Sequence, residues 1–128
     1  MAQRRRLQVK DWTLIAFWLL AFIGTHLPRI PQSIKPVSDK TLHSLSFTIL
    51  AGLLSWVLHN RAIGPVRHGA MVLLIIAVYG AVDELLQIPV GRHCDFYDWV
   101  ADMVGGVLGL IAFHLANAAA KKIRKTKE

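Results

Sequence analysis

The sequence has little cysteine and little negative charge. Cys94 is the single cysteine among 128 residues, so no disulfide can form within the chain. An unpaired thiol is the expected state, and an intermolecular disulfide is the alternative. Eight acidic residues stand against 15 lysines and arginines, for a net charge of +7. Because the basic residues lie mostly at the two termini, the positive-inside rule explains them better than nucleic-acid binding does.

Long apolar runs dominate what is present, and 54% of the residues are hydrophobic. Runs of this length predict membrane helices rather than the core of a soluble domain. We predict an all-α integral membrane bundle, a single domain over residues 1–128. Its four transmembrane helices are expected at residues 12–27, 41–58, 69–88 and 98–120.

The first apolar run follows a basic segment, as it does in a signal peptide. No cleavage site of small residues follows the run, so we predict an uncleaved first span. Pro28 and Pro31 are expected to end it. Asp39 is the expected N-cap of the second span.

The distribution of lysine and arginine predicts the orientation. One side of the predicted bundle carries about eleven of them and the other about four, and the more basic side faces the cytoplasm. Both termini are therefore expected to be cytoplasmic. The loops that contain Arg29 and Arg92 should then face outward.

Polar residues crowd toward the outer ends of the predicted helices. An acidic residue at the centre of a membrane helix costs roughly 2.5 to 3.5 kcal/mol, so a group of them near one end indicates a site or a paired network. The candidate site residues are His43, Asp83, Glu84, Gln87, Arg92, Asp98 and Asp102.

Two interpretations of these residues remain open. In the first, they form a polar pocket in which Arg92 binds a phosphate or carboxylate and His43 can act as an acid or base. In the second, Arg92, Lys40 and His43 neutralise the acids and hold the helices together. Spacing places Asp98, Asp102, Gly105 and Gly109 on one face of the fourth span, where the glycines let a neighbouring backbone approach.

We predict no metal and no cofactor. A metal bound by His43 with carboxylates is conceivable, but the order of these residues matches no compact ligand motif.

Several short motifs in a fixed order resemble the VanZ-like family of small bacterial membrane proteins. The resemblance covers about residues 39–109. Its motifs are Asp39-Lys40-x-x-His43, Tyr79-Gly80-x-x-Asp83-Glu84-x-x-Gln87, Gly91-Arg92 and Asp98-x-x-x-Asp102-x-x-Gly105-x-x-x-Gly109.

Two positions depart from the pattern of this family. Phe47 stands where a tyrosine is common, and Asp102 stands where an asparagine is frequent. The namesake of the family is associated with low-level teicoplanin resistance. The resemblance therefore implies an inner-membrane protein with a role in the cell envelope, and it specifies no reaction.

Three functional hypotheses follow. The first is a pocket in the outer leaflet that binds a polar envelope component or a lipid head group. The second is an enzyme that acts on a lipid-linked substrate, with Glu84 or His43 as acid or base. The third is a structural or regulatory partner that binds another membrane protein through the surface of Gly105 and Gly109. A homo-oligomer is an alternative to such a partner. None of them involves nucleic acid.

Overall fold

Four α-helices account for most of the described residues. The computed structural model describes residues 7–27, 38–59 and 63–127. The helices are α1 (Val9–His26), α2 (Asp39–His59), α3 (Pro65–Gln87) and α4 (Phe96–Thr126), and a short 3-10 helix (Ile88–Val90) follows α3. The all-α prediction is confirmed. Each predicted span coincides with a helix, and the observed helix ends lie within four residues of the predicted ones except at the end of α4, which extends six residues further.

Local chemistry sets the helix ends. Ser38, rather than Asp39, caps α2, because its hydroxyl accepts a hydrogen bond from the Thr41 N–H at 3.2 Å. Helix α3 begins at Pro65, four residues earlier than predicted, since proline is favoured in the first turn. Gly91 adopts a left-handed φ of 76°, which ends the 3-10 helix and turns the chain toward α4. The prolines predicted to end the first span lie outside the described residues.

Among the residues that the structure describes, three helices are long and apolar enough to cross a membrane: α2, α3 together with its 3-10 extension, and α4. Within the described part of the chain, α1 falls short of that standard, and it carries Lys10 and Asp11 in its first turn. The outward-facing side chains of α1 are nonetheless largely apolar: Leu19, Leu20 and Ile23 are all more than half exposed.

Helix α2 is the centre of the packing, because it contacts all three other helices and supplies most of the buried apolar core. Its contact with α4 is unusually close. A Cβ added to Gly105 would overlap the carbonyl oxygen of Ser44, and one added to Gly109 would overlap that of Thr48. The predicted role of the two glycines in close helix packing is therefore met within the chain, between α4 and α2.

Successive helices run in opposite directions. Thr25 near the end of α1 contacts Asp83 near the end of α3, and Lys40 at the start of α2 contacts Asp98 at the start of α4. One end of the bundle therefore combines the last turns of α1 and α3 with the first turns of α2 and α4. We call it the polar end, defined by the seven candidate site residues.

Candidate functional site

All seven candidate residues lie together at the polar end, and all are buried. Arg92 is the most exposed at 8%, and Asp83, Gln87 and Asp102 are at 0%. Four buried carboxyl groups thus share one region, which requires either charge partners or extensive hydrogen bonding.

His43 and Asp102 form the innermost pair. The His43 Nδ1 donates to the Asp102 Oδ1 at 2.9 Å, and the Glu84 Oε1 lies 3.9 Å from the same nitrogen. When Asp102 is ionised it can only accept this bond, so the proton is then on Nδ1 and a neutral ring keeps its lone pair on Nε2. An imidazole oriented in this way by a carboxylate is suited to act as an acid or base.

Glu84 connects α3 to the start of α4. Its Oε2 accepts from the Asp95 N–H at 2.9 Å, and its Oε1 accepts from the Gln87 Nε2 at 3.2 Å. The same Gln87 nitrogen donates to the Asp83 Oδ2 at 3.3 Å. Gln87 therefore holds two neighbouring acids in place from one turn further along the helix.

Helix α1 contributes groups that the sequence reasoning did not assign to the site. The Thr25 hydroxyl donates to the Asp83 Oδ1 at 3.2 Å, and the Tyr79 hydroxyl donates to the same oxygen at 3.4 Å. The His26 Nδ1 lies 3.9 Å from it. Thr25 has no charge and no repeating spacing with the acids, so only the proximity of α1 and α3 in the fold identifies it.

Lys40 is the principal cation of the acidic cluster. Its Nζ lies 2.9 Å from the Asp98 Oδ1 and 3.0 Å from the Asp95 Oδ2, while the lysine side chain itself is 52% exposed. The interpretation that Lys40 and His43 pair with the acids and join the helices is thus part of the observed geometry. Asp95 was not among the candidates, although it also caps α4 by accepting from the Tyr97 N–H at 2.8 Å.

Arg92 is placed differently from Lys40. Its Nη1 donates to the carbonyl oxygen of Leu27 at 3.2 Å, which ties the loop before α4 to the end of α1. Its Nε is buried and has no hydrogen-bond partner among the described residues, and the same holds for the Gln87 Oε1 and the Asp102 Oδ2. Buried polar atoms of this kind are rare in native structures, and four of those among the described residues, counting the His26 Nε2, lie at the polar end.

A cavity of about 400 Å³ opens between α1 and α2, next to His43 and Arg92 of the polar end. Apolar side chains line one part of it, chiefly Phe17, Leu20 and Leu42, and polar side chains line another, including His43 and Arg92. The lining is therefore amphipathic: it combines apolar side chains with His43 and with two charged groups of opposite sign, Asp39 and Arg92.

His43, Glu84 and Asp98 could hold a metal ion, because each offers one ligand atom within 4.8 Å of the others. No compact sequence motif reveals this grouping, since the three residues come from three helices. Each is already engaged: His43 by Asp102, Glu84 by Gln87 and the Asp95 N–H, and Asp98 by the Lys40 ammonium. The donor set suits a cation, but the ammonium of Lys40 already provides positive charge.

Comparison with known proteins identifies the relatives of this chain. An uncharacterised protein of Mycobacterium tuberculosis and one of Mycobacterium bovis are each 31% identical to it over 117 residues. The match covers 91% of this chain and 47% of each relative, so the chain spans about half the length of the curated relatives it matches. No solved structure matches it. A family profile described as VanZ/LLP1 matches residues 2–117, which includes the first helix as well as the motifs noted above. The chain belongs to the VanZ/LLP1 family.

Proposed function

We propose that this protein binds an amphipathic component of the bacterial cell envelope, a lipid or a lipid-linked precursor, in the cavity between α1 and α2. The observation that carries the proposal is the mixed lining of that cavity, which is apolar at Phe17 and Leu20 and polar at His43 and Arg92. An acyl or prenyl chain suits the side chains of Phe17 and Leu20, and a polar head group suits the region of His43 and Arg92. Pockets for small molecules have this composition in general, with a few polar groups that fix orientation.

The head group that fits best is anionic. Arg92 is buried, and its Nε has no partner among the residues described, so an incoming phosphate or carboxylate would complete its hydrogen bonding. Guanidinium groups bind such anions in a bidentate manner, which also fixes their orientation. The acids of the polar end are largely engaged by Lys40, His43 and Gln87, and Asp39 in the cavity lining is not free either, which reduces their repulsion of an anion.

The proposal includes a membrane arrangement. All four helices span the inner membrane as one domain of residues 1–128, with both termini in the cytoplasm and the polar end in the outer leaflet. The apolar outer face of α1 supports its assignment as a fourth span, and the excess of lysine and arginine at the termini supports the orientation. The envelope role and a link to teicoplanin resistance rest on the family alone.

Native mass spectrometry of the detergent-purified protein tests ligand binding. We expect a co-purifying lipid or envelope precursor on the wild type. Arg92→Ala should lose it through the head group, and Ala21→Trp should lose it by filling the apolar part of the cavity. Ala119→Trp, on the exposed surface of α4, is the matched control and should keep it.

The variants must be compared at equal folded fractions, which thermal melting monitors. If the same species stays bound to Arg92→Ala and Ala21→Trp, the cavity is not the site. If the wild type carries no such species even when it is extracted in nanodiscs with its native lipids, the binding function is wrong.

A second candidate is an enzyme that acts on the same class of ligand. It is favoured by one observation: His43, which lines the cavity, is oriented by a hydrogen bond from its Nδ1 to Asp102. Such a pair could accept or donate a proton on a bound head group through Nε2. Turnover of a labelled envelope lipid that is lost in His43→Gln, with ligand binding retained, would establish it. If the protein binds such lipids but turns over none of the substrate classes tested, binding is its only supported function and the enzyme hypothesis is wrong.

In the third hypothesis a partner binds through Gly105 and Gly109, but these residues are not accessible to a partner in this fold. Both glycines are buried against α2. A second copy or another membrane protein that used this surface would first have to displace α2, so a partner would need a different face of the bundle.

A further inference from the structure

The end of the bundle opposite the polar end carries a second polar cluster. It combines the first turns of α1 and α3 with the last turns of α2 and the middle of α4. We call it the basic end, defined by Lys10, His59, His68, His114 and Lys121. No motif in the sequence indicates it, because its members are far apart along the chain and four of them lie within otherwise apolar helices.

Ring contacts hold the three histidines together. The ring centroids of His59 and His68 are 6.1 Å apart, and those of His68 and His114 are 5.6 Å apart. Phe113 lies beside all three rings. Lys10 in the first turn of α1 and Lys121 two turns beyond His114 in α4 lie at the same end of the bundle. The five groups that define this cluster all become positive on protonation, and Asp11, the buried neighbour of Lys10, accepts from the Gln8 N–H at 2.8 Å.

Three polar side chains at this end, one from each of three helices, have unsatisfied atoms. The Lys10 Nζ is buried in a side chain that is 5% exposed, and it has no hydrogen-bond partner among the described residues. The Ser55 hydroxyl and the His68 Nδ1 share this condition, in residues that are 0% and 2% exposed. The other nitrogen of His68, Nε2, donates to the Ser55 carbonyl oxygen at 3.1 Å, which fixes the ring.

A buried ammonium without a partner is among the most costly arrangements in a protein. An anion that enters this region would relieve that cost, and the Ser55 hydroxyl would supply a second donor. Donors from three helices match the several oxygens of a tetrahedral anion better than the two oxygens of a carboxylate.

We propose that the basic end of the bundle binds a phosphate group, with Lys10, Ser55 and His68 as its donors. The phosphate comes either from a lipid head group or from free phosphate. This inference is independent of the function proposed above, because it uses no residue of the polar end.

Binding of two phosphate probes to the full chain tests the proposal. The protein is purified in a maltoside detergent without phosphate, and its phosphorus content is measured first so that occupied sites are counted. Inorganic phosphate and a short-chain phosphatidic acid are then titrated separately. We expect Lys10→Met to weaken the binding about tenfold or more, as the loss of a charge-assisted hydrogen bond predicts. Lys127→Met removes the same charge from the exposed end of α4, and its affinity should stay within about twofold of the wild type.

The stability of the variants without phosphate separates a binding role from a structural one. Lys10→Met removes an unpaired buried charge, so its melting temperature should equal or exceed that of the wild type. Ser55→Ala removes a hydroxyl without a partner and should also fold, with severalfold weaker binding. Binding of phosphatidic acid alone identifies a lipid head group as the source, and binding of both probes identifies phosphate in general. The proposal is overturned if neither probe binds and no phosphorus is present, if Lys10→Met binds as the wild type does, or if Lys10→Met unfolds more easily without a probe.

Discussion

The pair of His43 and Asp102 gives the sharpest prediction about the polar end. Asp102→Ala leaves the buried His43 Nδ1–H without its acceptor, whereas Asp102→Asn keeps an oxygen in the same place and removes the charge. Hydrogen bonds between membrane helices contribute about 0.6 kcal/mol on average and about 1.7 kcal/mol at most. Bonds to charged groups lie at the upper end of the usual range, so we expect a coupling energy of about 1.5 kcal/mol between the two side chains.

A double-mutant cycle with His43→Ala and Asp102→Ala measures this coupling, with the free energy of unfolding taken from SDS titration in mixed micelles. Asp102→Asn should lose less than about 1 kcal/mol, because the acceptor remains. The hydrogen bond between Asn117 and His59 is exposed, and a cycle on that pair is the control, with a coupling close to zero. Equal destabilisation by Asp102→Asn and Asp102→Ala would show that the charge matters more than the acceptor, and a coupling near zero for His43 and Asp102 would refute the pairing altogether.

Three further predictions use the same unfolding assay. Gly105→Ala should destabilise the protein by about 1 to 3 kcal/mol, because the new Cβ meets the α2 backbone, whereas Gly24→Ala, with nothing within 4 Å, should not. Phe47→Tyr should stabilise it by about 0.5 to 1.5 kcal/mol if the new hydroxyl reaches the unpartnered Asp102 Oδ2, and unchanged or lower stability would show that it does not. Lys40→Met should lower the free energy of unfolding by about 1 kcal/mol rather than by several, because solvent screens the half-exposed lysine although Asp98 is buried. A loss above about 3 kcal/mol would contradict this screening.

The helices and the composition of the polar end could be predicted from the sequence because both follow from local patterns. Apolar runs and proline or glycine at their ends determine most of each helix, and an acid inside such a run stands out against its neighbours. The burial of Asp98 and Asp102 on one face follows from their four-residue spacing. The helix boundary at Pro65 was missed because the polar residues of its first turn resemble a loop.

The basic end and the contribution of α1 could not be predicted in this way. Thr25 and Lys10 acquire their significance only from neighbours that lie more than 40 residues away in the chain. The histidines of the basic end are isolated in the sequence, and a single histidine in an apolar helix gives no indication of its partners. The same limit applies to the surface of Gly105 and Gly109: spacing predicts that some backbone approaches it, but not that the backbone is α2 of the same chain.

The two departures from the family pattern lie at one place in the structure. The Asp102 Oδ2 and the Phe47 Cε1 lie 3.0 Å and 3.4 Å from the point where a Cβ on Gly80 would stand. A tyrosine at position 47 would bring a hydroxyl into this region, and an asparagine at position 102 would bring an uncharged amide in place of the carboxylate. This chain instead has a phenylalanine that cannot donate and a carboxylate whose Oδ2 has no partner among the described residues. The Asp102 charge is therefore directed mainly at His43, since fewer neighbouring donors share it. Phe47→Tyr should for that reason weaken the coupling between His43 and Asp102 even where it raises the stability of the protein as a whole.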